Sequence, residues 1–579
     1  QGSILAQAIL VEAPRFSCGT SIGTVRPALW LEEKMAMRVA ATVALLASVS
    51  ADAAPKVSEL QHDVEDLQRE LAELRGMVNS ENSERRLQAP VVTEAEFWTQ
   101  VYALGNMSAS NTAAADELGT AVTDADAEMA AAMDSMWLLL CGTLVMFMHA
   151  GFAMLETGCC RAKNASNVLM KNLVNVCVGT LAWYFFGWGL AYGGPYDDDG
   201  YLENGFIGGA EFAAGGFMTT DDDGVITAIE EPGQSKMLGW FFQWAFCTAA
   251  ATIVSGGVAE RVQSPTYACY SFVMAGFIYP VVVAWTWGYG WLAKVADVGY
   301  MDFAGSGIVH LTGGISALAG AIVLGPRKGR FEFPDQFQAH SLPLVVLGTL
   351  SLWFGWYGFN CGSTLAMSDA ATGAMAAQVA MNTTLAAATG GLTVFILRYA
   401  QTKLYDVGGL CNGILAGLVS ITAPCGNVEC GSAVAIAAIG GIIYVASSTM
   451  QKKLRIDDPV DASSVHGACG IWGVLAAALF DWGKGFDHYH GWSGFSCMTD
   501  DEGNCQTGLG GSALGAQIAL ILAVIVWAGS LSGITFFALM KTGQLRVDKE
   551  TEDKGMDVAH HSPSKAYSMD ESNTVGTGY

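Results

Sequence analysis

From about residue 136 onward the chain alternates long apolar runs with short polar connections. Eleven such runs stand out, with approximate limits 136–157, 168–194, 237–258, 266–289, 304–324, 341–361, 373–398, 407–423, 432–450, 465–481 and 512–540. A hydrocarbon core of about 30 Å needs about 20 apolar residues in helical form. The pattern therefore predicts an all-α polytopic membrane protein, with eleven transmembrane helices between residues 133 and 541.

The pattern upstream is different. Residues 35–54 combine a basic start, a short apolar core and small residues near Ala51 and Ala53, which is the composition of a secretory signal peptide. On that reading residues 1–34 are leader-derived sequence upstream of the true start. Val57, Leu60, Val64, Leu67, Leu71, Leu74 and Val78 then follow at alternating spacings of three and four. That is the seam of a short coiled coil over residues 57–78. Residues 79–132 are polar and Ala-rich and read as a linker. Asn106 opens an Asn-Met-Ser glycosylation sequon, usable where that side faces the outside.

Charge orients the spans. Of the 579 residues 52% are hydrophobic and only 14% charged, too few charges for a soluble chain of this length. Alternate connections and the start of the tail, as far as Lys549, carry Lys and Arg in a ratio of fifteen to three over the remaining connections, the minority being Lys236, Lys294 and Lys484. The basic set is expected in the cytoplasm, which puts the N-terminus outside and the tail inside. One outside connection then holds ten acids, Asp197, Asp198, Asp199, Glu203, Glu211, Asp221, Asp222, Asp223, Glu230 and Glu231. A run of this kind is expected to be a solvated loop rather than a cation funnel. The formal net charge of −25 offers no basic face to nucleic acid. Two cysteine pairs, Cys425/Cys430 and Cys497/Cys505, fall in short outside loops and are disulfide candidates.

Two histidines carry the candidate chemistry. Asp302 stands eight residues before His310, Asp458 stands eight before His466, and each histidine follows a valine. They fall in the fifth and tenth runs, so their helices run in opposite directions. This is the signature of an inverted repeat of five plus five helices, with the eleventh added. A charged imidazole in mid-membrane costs about 2–3 kcal/mol or more, so both rings should be neutral and face the protein interior. Neutral imidazole has one donor and one acceptor nitrogen, and two in contact can pass a proton. Phe242 and Phe246 lie one helical turn apart, and Trp287, Phe359 and Ser363 lie near the outer ends of their runs. Aromatic faces attract a cation that has lost water, and a hydroxyl can accept a hydrogen bond from it. No nucleotide loop, metal-ligand cluster or nucleophile–base pairing points to an enzyme, and no cofactor is expected.

The segments HAGFAMLETGCCRAKN, VAERV, DFAGSGIVHLTGG, WFGWYGFNCGS and DDPVDASSVHGACGIWG resemble the ammonium transporter (Amt/Mep/Rh) family, its plant-type branch most nearly. The resemblance covers residues 134–567. It implies the ammonium transporter fold and a homotrimer with one pore per subunit, at the plasma membrane. It implies an outer cation site from Phe242, Phe246, Trp287 and Ser363, ordered by a buried Asp302. It further implies a gate from Phe246 and Phe359 with Trp356 nearby, and a His310–His466 pair in the pore. The substrate would be ammonium, with methylammonium as analogue.

Residues 542–579 resemble the family's regulatory tail, with Gly555, Met556 and Asp557 at its core. That tail docks under a neighbouring subunit. Ala559 stands where plant-type members carry a regulatory threonine, which leaves Ser562 and Ser564 as candidate sites for a kinase or another regulatory protein. The leading expectation is an ammonium transporter. The alternatives are a neutral-gas channel for NH3 or CO2, and an ammonium sensor that signals through the tail.

Overall fold

The structure, a computed structural model, describes residues 108–220, 226–228, 230–231, 234–481, 502–509 and 511–567. The signal-peptide segment, the heptads, Asn106, Cys497 and the last part of the tail lie outside these residues. The chain divides into two units, Gln1–Asp126 and Ala127–Tyr579. In the first, the described residues are helical, part of a helix that spans Ser108–Cys159. The end of the expected linker over residues 79–132 is thus helical from residue 108 onward. Ala-rich sequence with few breakers favours helix, and composition alone does not separate that from a linker.

Among the described residues, nine helices are long and apolar enough to cross a bilayer, and two shorter apolar helices accompany them. In chain order they are α1 (Ala125–Cys159), α2 (Ala162–Tyr192), α3 (Lys236–Gly257), α4 (Ser264–Trp285), α5 (Ser306–Leu324) and α6 (Leu342–Thr364). Then come α7 (Ala370–Thr402), α8 (Val407–Thr422), α9 (Cys430–Lys453), α10 (Ser463–Leu479) and α11 (Ala513–Lys541). Each falls on one expected run. Their outward faces are apolar: Leu139, Leu173, Leu181, Ile322, Leu350, Ile396 and Val526 are all more than half exposed. A surface of this kind suits lipid rather than water.

The two halves meet where α5 and α10 cross. A Cβ on Gly314 would run into the backbone of Gly467, so only glycine lets the helices approach this closely. Both helices open with a π-helical stretch, Ser306–Leu311 in α5 and Ser463–Ala468 in α10, and each stretch carries one of the two histidines. The sequence match between Asp302–His310 and Asp458–His466 is thus a match in backbone form. Asp302 accepts from the amides of Gly305, Ser306, Gly307 and Ile308 at 2.8–2.9 Å, and so satisfies the free donors of the helix start. Asp458 accepts from the amide and hydroxyl of Ser463, each at 2.7 Å. The eleventh helix lies along α5, where Ser532 meets Ser316 at 2.9 Å.

The acidic connection is more ordered than expected. Asp197 accepts from the amides of Tyr201 and Asp199 and pairs with Lys294 at 3.1 Å. Glu211 pairs with Lys236 and accepts from Trp188 Nε1 at 2.8 Å. At least these two carboxylates hold the loop in place instead of merely solvating it.

Cys425 and Cys430 are unbonded thiols, which corrects the expected disulfide. Asn382 Nδ2 donates to the carbonyls of Cys425 and Val428 and pins the loop. Cys425 points inward, fully buried, with its thiol on Thr422 O, while Cys430 heads α9. Cys505 is disulfide-bonded, and its partner is outside the described residues.

Candidate functional site

A cavity of about 1070 Å³ opens on the acidic side. Phe242, Phe246, Trp287 and Ser363 all line it, with Asp134, Glu211 and Lys236 among the polar residues of its wall. The expected cation site is thus one place, built from α3, α6 and the end of α4. Phe242 and Phe246 sit on one face of α3 with ring centroids 4.9 Å apart. Trp287 meets Phe246 edge-on at 5.8 Å, and its Nε1 donates to Asp302 O at 3.2 Å. Asp302 therefore shapes the site through the backbone and through Trp287. Burial pushes its carboxyl up to about 6, against the four amides that favour the charged form.

Beneath the cavity the path is closed by stacked rings. Phe246 and Phe359 lie 4.2 Å apart at 33°, and both are fully buried. Below Phe359, at 5.2 Å and nearly parallel, is the His310 ring; Trp356 flanks that ring at 5.1 Å, its Nε1 held by Thr422 Oγ1 at 2.9 Å. His310 in turn stacks on His466 with centroids 5.2 Å apart, and their Nδ1 atoms are 3.2 Å from each other. One Nδ1 must carry a proton and the other must not, so the pair shares a single hydrogen bond. His310 Nε2 has no hydrogen-bond partner among the described residues although the ring is buried.

His149 provides the contrast. It is as buried as His466, but Thr248 Oγ1 and Thr252 Oγ1 engage its two nitrogens at 2.9 and 3.1 Å. It is a satisfied core histidine.

Past His466, a narrow cavity of about 10 Å³ continues toward the basic side, lined by Phe152, Glu156, Ile253, Asn412, Val460 and His466. Its size suits one molecule as small as water. The carboxyl of Glu156 in this wall was not anticipated from sequence. Its only signal there is an acid inside an apolar run, in FAMLETG.

The tail folds back on the basic connections of its own chain. Asp557 accepts from the amides of Ser166 and Asn167 at 2.8 and 2.9 Å, and so caps the start of α2 from outside. Met556 N donates to Asn164 Oδ1 at 2.9 Å. Gly555, at φ 103°, lies against Lys163 with no room for a side chain. Arg546 pairs with Glu552, whose Oε1 accepts from Lys328 N at 2.7 Å. Ser562, Ser564 and Ala559 are exposed just beyond. Beside the tail, Arg327 joins Glu260 and Asp457. Burial alone would raise both carboxyls, but the Arg327 guanidinium outweighs it and holds them below their usual range.

Residues 136–567 match the family model described as Ammonium Transporter Family. Ammonium transporter Amt2 of Archaeoglobus fulgidus is 38% identical over 464 residues, 78% of this chain and 91% of the relative. Ammonium transporter 1 member 3 of Solanum lycopersicum is 36% identical, over 77% of this chain and 96% of the relative. Among solved structures, the Sensor Amt Protein superposes with a TM-score of 0.65 at 33% identity, covering 75% of this chain and 99% of that one. Candida albicans Mep2 superposes with a TM-score of 0.61 at 28% identity, covering 72% and 87%. With the family model spanning most of its length and both relatives above a third identical, this multi-pass membrane chain belongs to the ammonium transporter family.

Proposed function

We propose that the chain takes ammonium from outside the cell, strips its water against Phe242, Phe246, Trp287 and the Ser363 hydroxyl, and removes its proton at the stacked phenyl rings. NH3 then crosses beside His310 and His466. The observation that carries this reading is the unbroken series from cavity to Phe246, Phe359, His310 and His466, each ring 4.2–5.2 Å from the next. Aromatic faces stabilise a partly desolvated cation before the rings, and two neutral imidazoles stand directly beneath them, so what passes the rings is neutral.

The proton follows by the shared Nδ1–Nδ1 hydrogen bond. Each imidazole passes on one proton as it accepts another, and neither ring needs to hold a stable charge. The protein works as a homotrimer in the plasma membrane with its tail in the cytoplasm, where the basic connections lie. Docking of Asp557 on α2 is the conducting arrangement. A phosphate on Ser562 or Ser564 weakens it by adding negative charge near the buried Asp557 carboxylate.

The test is expression of the full chain in oocytes under voltage clamp, with ammonium added at fixed pH. A saturating inward current with little response to potassium is expected. Labelled methylammonium uptake without current identifies neutral conduction. Surface expression with neither current nor uptake overturns transport and leaves sensing.

A further inference from the structure

Glu156 is only 1% exposed, three residues from the basic-side end of α1, in a segment where a carboxyl is costly. Its Oε2 accepts from Asn172 Nδ2 at 3.1 Å and from Ser255 Oγ at 2.8 Å. Its Oε1 has no hydrogen-bond partner among the described residues. That oxygen lies on the side of Val460 and Ala462: a Cβ built on Gly256 would lie 3.7 Å from Glu156 Oε1 and 3.7 Å from Ala462 Cβ, and would run into Val460 Cγ2. Val460, Ala462, Glu156 and His466 all line the same narrow cavity.

Two further features set this carboxyl apart from a structural one. The charged groups acting on it are Lys171 on α2 and Asp458 at the head of α10. Lys171 is itself 1% exposed, and among the described residues its Nζ has no hydrogen-bond partner and no ion pair joins it to Glu156. A pair kept for stability would be closed by direct hydrogen bonds, because an open one leaves both desolvation costs uncompensated. Beyond Glu156, Asn412 forms a wall common to this cavity and to a polar one of about 160 Å³, lined by Asp406, Asp461 and Lys452 on the basic side.

We propose that Glu156 holds the proton in the inner half of the pore, between His466 and the polar exit. The proposal rests on the reading above, that NH3 and its proton cross separately. The carboxylate takes the proton relayed through the histidines and becomes a carboxylic acid. NH3 reaching the same cavity removes that proton and leaves as NH4+, which restores the carboxylate. One ammonium enters and one leaves, with no other reactant. Lys171 offsets the buried negative charge without closing on it, so Oε1 stays available.

The test compares wild type, E156Q and E156D, as full chains in oocytes, by ammonium current, labelled methylammonium uptake and surface amount in the same cells. Glutamine keeps the size and the contacts with Asn172 and Ser255 but cannot hold the proton. The expected result is a current per surface transporter at least about tenfold lower in E156Q, with the half-saturating ammonium concentration little changed. E156D keeps a current whose pH profile is shifted. Wild-type current with an unchanged pH profile in E156Q overturns the proposal. If E156Q does not reach the surface, E156D decides: a shifted profile supports the role and an unshifted one overturns it. Wild-type uptake without current overturns Glu156 and leaves conduction standing, whereas neither uptake nor current overturns the proposed function and this inference together.

Discussion

The Nδ1 atoms of His310 and His466 face each other at 3.2 Å from two π-helical turns, each introduced by an aspartate eight residues earlier. Extra backbone in a π turn displaces the side chain from the regular helical path, and such turns recur at functional positions. His310→Ala removes one of the two nitrogens and opens a void against Phe359 and Trp356. Ammonium current is expected to fall at least about tenfold, with the protein still assembled in the membrane. Current under voltage clamp, alongside size-exclusion chromatography in detergent, checks this. A disassembled protein would reduce the pair to packing.

Asp302 accepts four amides and is 5% exposed. Asp302→Asn replaces one accepting oxygen by a donor, so the amides of Gly307 and Ile308, or those of Gly305 and Ser306, lose their partner. The cost is about 2–4 kcal/mol for buried, unpaired donors. A lower midpoint of thermal unfolding in detergent is the expected outcome, with ammonium affinity reduced because Trp287 Nε1 bonds to Asp302 O.

How much of this was legible in sequence can be argued residue by residue. The eleven apolar helices were, nine of them among the described residues long enough to cross a bilayer, because lipid demands long apolar runs and tolerates little else. The histidine pair was legible through its repeated Asp-x7-Val-His spacing. The π turns were not, since nothing in composition marks one extra backbone residue per turn. His149 and Glu156 share the segment HAGFAMLETG, where each reads as one polar residue in an apolar run. Only tertiary neighbours separate them: two threonines engage His149, while one oxygen of Glu156 has no hydrogen-bond partner among the described residues. The Cys425/Cys430 spacing misled because loop orientation is set by Asn382, which is distant in sequence.

Gly314 faces Gly467 where the two halves cross. Gly314→Ala forces α5 and α10 apart in a tightly packed interior, at a cost of about 1–3 kcal/mol. It also moves the two imidazoles, which have only one mutual hydrogen bond. The current is expected to fall more than the surface amount does, as measured by clamp and surface labelling together.

Asp557 caps α2 by accepting the amides of Ser166 and Asn167, and it is 1% exposed. Asp557→Ala leaves these donors unpaired and removes a negative charge from a helix start, at a cost of about 1–2 kcal/mol. The tail should then be cleaved faster by added protease, with the spans intact. Equal proteolysis of variant and wild type would show that Asp557 does not hold the tail.

Arg327 is 3% exposed and donates to Asp457 Oδ2 from Nε and to Oδ1 from Nη2, at 2.8 and 2.9 Å, and it also pairs with Glu260. Both carboxyls are held below their usual range in the folded protein. The sign follows by linkage: a carboxylate depressed on folding stabilises the fold above its unfolded pKa, about 4, and loses that contribution as pH falls through the folded value. For these groups thermal stability should be flat from about pH 8 to pH 5 and decline below about pH 4. Arg327→Met removes the cation that two buried carboxylates share, leaving Glu260 with Arg161 and Asp457 with Arg330, and costs up to about 3–5 kcal/mol at neutral pH. The variant should recover part of this on acidification, because protonation relieves the two carboxylates that lost Arg327. Unfolding midpoints of wild type and variant across that pH range check both slopes, and a variant curve parallel to wild type would show that the carboxyls titrate independently of Arg327.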